Sequence, residues 1–358
     1  YKPYIEIEQE LAKLAAAHPS LVRLFYWTGQ TIENCDGKRR PGRKIYAVKV
    51  SANPQNNDPE PEVAYLGVHH ARELITAVQT MRLLQALTDG YASDTDIRKL
   101  VDTREVWVIP VVNPNGYERA VSGQVDWRKN TRLTDGQKRC GTDLNRNYAH
   151  GHPTIFPPAQ RTTLPDINRS GVDTGTGALV PDSDTFPGPA PFSEVETQAV
   201  RGLAHSQFRT RNKREVDGLM CMLSWHSYGG VVGHPMGHVA VPPATDLDPL
   251  DVAPFDSLTS TMASAASYTD VQDDYATVAV VDGCATPHYM VYGDSNDWFY
   301  KDGNTFATLI ESFSSPERGS CPVGPIQNDF NPQTAALRDA VADANIKAAL
   351  AMLRMCPP

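Results

Sequence analysis

Four short apolar runs set between longer helix-like stretches constrain this chain more than any other feature. Lys44 to Val50 (KIYAVKV), Val63 to Val68, Val106 to Val112 and Leu219 to Trp225 are rich in β-branched and aromatic residues. Runs of this kind read as strands buried on both faces, because a half-exposed strand alternates apolar with polar residues. Helical patterns lie between and after them. One covers Ile75 to Leu87, a capping box Ser193-Glu194-Val195-Glu196 opens another that continues through Phe208, and the last starts after Thr334. In that last helix Leu337, Val341, Ala344, Ala348 and Ala351 are spaced to line one face. A strand buried on both faces needs a cover on each, so the alternation predicts an α/β fold, a mixed central sheet with helices on both faces. Residues 1–358 are expected to form a single domain, with the Pro-, Gly-, Thr- and Asp-rich segment at about 150–192 as a long surface excursion.

The 358 residues, 41% of them apolar, are enough for a substantial core. A net charge of -9, with no basic run beyond Lys38-Arg39-Arg40, argues against a nucleic-acid surface. No segment approaches the roughly 18 to 20 apolar residues that span a bilayer. The start at Tyr1 shows neither an initiator Met nor a signal-peptide pattern, which predicts a processed or trimmed product. Cys35, Cys140, Cys221, Cys284, Cys321 and Cys356 form an even set without CxxC spacing, as expected of disulfides in an exported protein rather than a thiolate metal site. The pairing stays open. Cys321 with Cys356 is one candidate that would pin the C-terminal helix, and Cys221 reads equally as a buried thiol.

The candidate chemistry begins where a strand runs into a turn, at Gly67-Val68-His69-His70-Ala71-Arg72-Glu73. HxxE spacing lets an imidazole and a carboxylate reach one cation, although the pattern alone is common by chance. His69 competes with His70, since neighbours on an extended strand face opposite ways and only one can face a metal. A site with three protein ligands needs a further imidazole, and His226 in Ser224-Trp225-His226-Ser227-Tyr228 supplies one at a strand end. His18, His150, His152 and His205 are expected on helix or loop surfaces. Glu311, in Thr308-Leu309-Ile310-Glu311, is a carboxylate that is costly to bury without a partner or a purpose.

The chain resembles the zinc metallocarboxypeptidases, the family of carboxypeptidases A and B, over nearly its whole length. Five separated motifs carry the resemblance: GVHHARELIT (67–76), NPNGYERA leading to Trp127-Arg128-Lys129, GTDLNRNY (141–148), LSWHSYGG (223–230), and YMVYGDSNDW followed by TLIESF (289–313). It implies one catalytic Zn2+ held by His70, Glu73 and His226, which decides between His69 and His70. It also implies Glu311 as general base and Arg128 as stabiliser of the oxyanion. Asn145 and Arg146 would anchor the substrate's terminal carboxylate, for which a guanidinium fork beside an amide is suited. Tyr289 would close over the bound terminal residue, and Arg72 would add a further substrate contact.

The side-chain pocket implied by the resemblance comprises Gly237, His288, Asp294, Asn296 and Leu309, with Val291 nearby. Asn296 replaces both the apolar residue of carboxypeptidase A and the Asp of carboxypeptidase B, so a broad or dual preference, apolar and basic, is expected. Asp166, Asp173, Asp182 and Asp184 can be read as oxygen ligands for a structural Ca2+, or as a solvated acidic loop. The expected partners are peptide or protein C-termini, with no nucleic acid and no membrane. The expected state is a monomer, secreted or extracytoplasmic.

Overall fold

The computed structural model describes residues 1–56, 59–134, 138–207, 218–238, 247–268, 270–272, 279–281, 284–286, 290–313 and 330–356. Eight strands form one mixed sheet: β1 (Val22–Tyr26), β2 (Tyr46–Val50), β3 (Pro61–Leu66), β4 (Glu105–Ile109), β5 (Gly218–His226), β6 (Val231–Gly233), β7 (Asp270–Gln272) and β8 (Phe306–Glu311). Their order is β1-β2-β4-β3-β5-β8-β6-β7. The four central strands, β4, β3, β5 and β8, run parallel, whereas β1, β2 and β6 join antiparallel. Parallel neighbours require crossovers, and the helices supply them on both faces.

The period-two pleat sorts the strand residues between those faces. Val63, Tyr65, Val106, Val108 and Leu223 pack with Leu83 and Leu87 of α2 (Ile75–Gly90) and Met352 of α8 (Ala335–Met355). Ala64, Leu66, Trp107, Ile109 and Met222 pack instead with Val200 of α5 (Val195–Gln207) and Phe299 of α7 (Ser295–Lys301). Two amphipathic helices, α1 (Tyr4–Ala17) and α3 (Thr95–Asp102), complete the first face, and α6 (Val252–Ala266) packs against α8. Helix α4 (Pro114–Val121) is capped by Asn113. Among the described residues no helix is long and apolar enough to cross a membrane.

All four predicted strands are present, but β3 and β4 stop short of their apolar runs. Pro110 has no N–H to continue β4. Val68, after β3, adopts φ 55°, a conformation uncommon for a β-branched residue. Gly67 allows the close approach just before it, since a Cβ there would lie 2.7 Å from the Pro110 carbonyl oxygen. The chain thus leaves the sheet sharply, immediately before His69 and His70.

Several expectations are corrected. Cys356 pairs with Cys221, so Cys221 is no free thiol, and Cys35 pairs with Cys140. Cys321 lies outside the described residues. In α8 the expected Ala348 and Ala351 are buried, but Leu337, Val341 and Ala344 are only half-buried, and the buried stripe also takes in Ala342, Asn345, Ile346, Ala349 and Met352. Alanines carry little directional information, and packing against α2 and α6 sets the rotation of the helix. His152 is buried rather than superficial, bonding Thr154 Oγ1 and the Pro187 carbonyl. The 150–192 excursion is not wholly superficial either: Ile167 and Val172 form a satellite core with Met290 and Tyr292. Its Asp173 and Asp182 accept backbone N–H groups of separate turns, Asp184 lies 3.7 Å from Arg139, and Asp166 accepts from Met290 N.

The Ser193–Glu196 box is used differently from its local signature. Ser193 Oγ donates to Glu194, and Glu196 turns inward so that Asn130 Nδ2 donates to both carboxylates, at 2.8 Å for Glu194 and 3.3 Å for Glu196. Glu196 Oε1 has no partner among the described residues. Burial, then the neighbouring Glu194, pushes its carboxyl up from 4.5 to about 8. With a folded pKa above the unfolded one, its contribution to stability is complete below about pH 4.5 and is lost as pH rises through about 8. Glu196→Gln should therefore gain roughly 2–4 kcal/mol on wild type between pH 5 and pH 8 in urea unfolding. Parallel pH profiles for the two proteins would contradict this.

Candidate active site

The site forms where the parallel strands end, the place an open α/β sheet offers a ligand. The turn after β3 delivers His70 and Glu73, β5 ends on His226, and β8 ends on Glu311, directly abreast of His226 in the parallel register. His70, Glu73 and His226 are buried, with potential ligand atoms within 4.8 Å of one another. His70 Nδ1 lies 2.7 Å from Glu73 Oε1, His226 Nδ1 lies 3.0 Å from Glu73 Oε2, and the two Nδ1 atoms are 3.2 Å apart. Tetrahedral ligands on zinc, at bonds of about 2.0–2.1 Å, stand about 3.3 Å apart, so this donor set fits with small relaxation. It is the sole metal-capable group of three found among the described residues.

The outer nitrogens of the two imidazoles are also held. His70 Nε2 is 3.2 Å from Asp143 Oδ1, and His226 Nε2 is 3.0 Å from Ser224 Oγ. Such outer partners fix the ring orientation and leave the inner nitrogens as donors to a cation. His69 faces elsewhere, bonding the Tyr148 hydroxyl at 2.8 Å and stacking on His226.

Charge is distributed unevenly around this group. For Glu73 the cost of burial is outweighed by His70 and His226, which hold its carboxyl well below the usual range. Burial likewise works against ionised Asp143, but Arg128 and His70 outweigh it. Glu311 goes the other way: burial, then the Glu73 carboxylate, pushes it up against the opposing pull of Arg128, Arg146 and Arg72. Glu311 keeps some exposure at the end of its strand.

Arg128 donates through Nε to Asp143 Oδ2 at 2.9 Å, so one carboxylate steadies both the arginine and His70. The backbone around them is tied by Asn113, whose Nδ2 donates to the carbonyls of His69 and Lys129. Asn145 Nδ2 lies 3.5 Å from His226 Nε2, and its Oδ1 accepts from Ser295 N. Arg146 beside it is buried. Gly293, at φ 78°, packs so closely on Arg146 that a Cβ would meet its carbonyl oxygen at 2.4 Å. Arg72 stacks on Phe330 at 4.3 Å, and burial lowers its pKa.

Asp294 caps α7 through Oδ1, leaving Oδ2 without a partner among the described residues, as is Asn296 Nδ2. Burial and Asp297 raise the Asp294 carboxyl to about 8. Gly237 donates to Asp297 and accepts from Val291, while Leu309 packs against Gly233. His288 and Tyr289 lie outside the described residues. The sequence reading singled out neither Asp143 nor Asn113, although both stand inside its motifs, at GTDLNRNY and NPNGYERA.

The sequence pattern of a family described as zinc carboxypeptidase matches residues 7–343. A zinc carboxypeptidase of Saccharothrix mutabilis subsp. capreolus is 30% identical over 88% of this chain and 63% of its own length. A metallocarboxypeptidase A of Arthroderma otae is 28% identical over 73% of the chain and 53% of its own length. The chain thus spans roughly half to two-thirds of these curated relatives. The crystal structure of thrombin-activatable fibrinolysis inhibitor covers 99% of the chain, which covers 74% of it, at a TM-score of 0.72 and 18% identity, a likeness of fold. With the family pattern running through almost the entire sheet and every strand end that builds the site, the chain belongs to the zinc carboxypeptidase family.

Proposed function

We propose that this chain is a zinc-dependent exopeptidase that releases single C-terminal residues from peptides and proteins. The observation that carries the reading is the adjacency of the metal-capable His70, Glu73, His226 group to a buried amide and guanidinium, Asn145 and Arg146, with Asn145 Nδ2 3.5 Å from His226 Nε2. A cation site next to a fork for a planar anion suits a peptide bond one residue from a free carboxylate.

Zinc bound by His70, Glu73 and His226 would supply Lewis acidity at the scissile carbonyl and make a nearby water more acidic. Glu311 takes the proton from the attacking water and returns it to the leaving amine, a role favoured by a carboxyl whose burial raises its proton affinity. Arg128, aligned by Asp143, donates to the carbonyl oxygen as negative charge develops there. Asn145 and Arg146 hold the terminal carboxylate, Tyr289 closes over the terminal residue, and Arg72 contacts the substrate alongside. Asp294 and Asn296, each with a polar atom lacking a partner among the described residues, would line the side-chain pocket with Leu309 and suit a dual preference. A protonated Asp294 tolerates an apolar residue, and a cationic one would draw its proton away. The two disulfides among the described residues fit an oxidising compartment and a secreted enzyme.

The test is amino-acid release from N-blocked peptides that vary in the last residue, as free acids and as C-terminal amides, with and without a zinc chelator. Chelator-sensitive release from the acids alone is expected, with apolar and basic termini both accepted. Equal cleavage of the amides would remove the Asn145–Arg146 anchor, and release that persists after verified zinc removal would remove the metal.

A further inference from the structure

A cleft of about 640 Å3 opens beside Arg128. Six cationic side chains line it, Arg72, Arg119, Arg128, Lys129, Lys138 and Arg139, against the carboxylates of Asp126 and Asp184. Arg119 is paired with Glu33, Arg128 with Asp143, and Arg139 lies 3.7 Å from Asp184, so in a chain whose net charge is -9 the positive charge the cleft offers a ligand sits chiefly at Lys138 and Arg139, with Arg72 deeper in. None of the metal-capable triad, Asn145 or Arg146 lines it. The cleft therefore shares Arg128 and Arg72 with the surroundings of the reaction centre and does not include the terminal-carboxylate anchor.

The cations are presented from fixed backbone. The N–H groups of Lys138 and Arg139 both donate to Asp182 Oδ1, each at 2.6 Å, and the Cys35–Cys140 disulfide ties the end of that turn to the opposite wall. Lys138 and Arg139 are exposed at the rim. Lys129 is buried at the floor, where Nζ donates to the carbonyls of Arg139 and Ser183, and burial lowers it to about 8 against the pull of the surrounding carboxylates. Arg119 lies over the Trp127 ring at 4.6 Å and pairs with Glu33, so it braces the wall.

We propose that this cleft selects substrates with acidic side chains a few residues upstream of the scissile bond. The proposal rests on the exopeptidase reading, which places the C-terminus at Arg146 and sends the upstream chain past Arg128. The net negative charge of the protein would by itself disfavour acidic peptides at long range, so the sign of the preference distinguishes the cleft from the bulk field.

The experiment compares two N-blocked peptides that share their last three residues and carry either Glu or Gln at the positions before them. Values of kcat/KM are measured at low salt and at about 0.5 M salt, where screening acts within a few ångströms. The Glu peptide should be preferred by about three- to tenfold at low salt, and less at high salt. In the Lys138→Glu/Arg139→Glu double variant the preference should vanish or reverse, while the rate on the Gln peptide stays within about twofold and reports an intact fold. Cleavage of the Gln peptide with no preference for Glu, or a preference that survives charge reversal, overturns the proposal alone. Failure to cleave either peptide overturns the exopeptidase reading beneath it.

Discussion

Glu311→Gln is expected to lower kcat by about 10^2- to 10^4-fold, with bound zinc and KM near wild-type values. Gln keeps the shape and hydrogen-bonding reach of the side chain but cannot accept a proton. The site predicts that the loss is confined to this step. Glu311 stands abreast of His226 without belonging to the His70, Glu73, His226 group, so the donors to the cation are untouched. Replacing the ionisable carboxyl also removes its repulsion with Glu73, which should leave metal affinity unchanged or raised. The measurement is steady-state kinetics on a free-acid peptide, with zinc content determined on the same samples. A kcat within tenfold of wild type at full zinc occupancy would assign the proton transfer to another group, and parallel loss of zinc and activity would make Glu311 a structural partner of the metal group.

The residues of this centre were legible because each follows a strand that can be read from its composition. A buried parallel strand is a run of β-branched residues, and the first polar residues after it must lie at the end of the sheet, which is where His70, His226 and Glu311 are found. HxxE spacing alone left His69 and His70 as alternatives, and the resemblance carried by the ordered motifs pointed to His70, Glu73 and His226, which the structure brings within 4.8 Å of one another. What escaped depends on long-range contacts. Asp143 looks like a turn residue in sequence, and its bonds to Arg128 and His70 exist only once the 141–148 loop folds beneath the β3 turn. The Ser193–Glu196 box has the local signature of a cap, yet Asn130, 66 positions from Glu196, draws that carboxylate inward. The face of α8 was legible only in part for the same reason: Ala348 and Ala351 are buried as expected, but alanines fit any face, and packing against α2 and α6 chooses the rest. The inner half of the 150–192 excursion was hidden by its Pro- and Gly-rich composition, though Ile167 and Val172 pack with Tyr292 and Ser170 Oγ accepts the N–H of Tyr292.

The cysteine pairing also escaped sequence reading, and it carries the largest expected effect on stability. Cys221 lies in the centre of β5, the strand that ends in His226, and Cys356 caps α8, so their bond clips the C-terminal helix to the middle of the sheet. It closes a loop spanning 135 positions, for which chain-entropy arguments give a loss of about 3–5 kcal/mol on removal. The helix is otherwise secured by Met352 and Leu353 in the core and by Arg104 donating to the Cys356 carbonyl at 3.0 Å. The Cys221→Ala/Cys356→Ala variant should therefore fold, but unfold about 4–7 °C below wild type. Its kcat/KM at 25 °C should stay near wild type, because β5 is held on both sides by β3 and β8 through parallel ladders that do not involve the disulfide. Calorimetry on the oxidised wild type and the variant, paired with peptide kinetics below both transitions, separates the two effects. A Tm unchanged within about 2 °C would show that packing alone anchors α8. A selective fall in activity with stability intact would show that the clip acts on the position of His226 rather than on the unfolded chain.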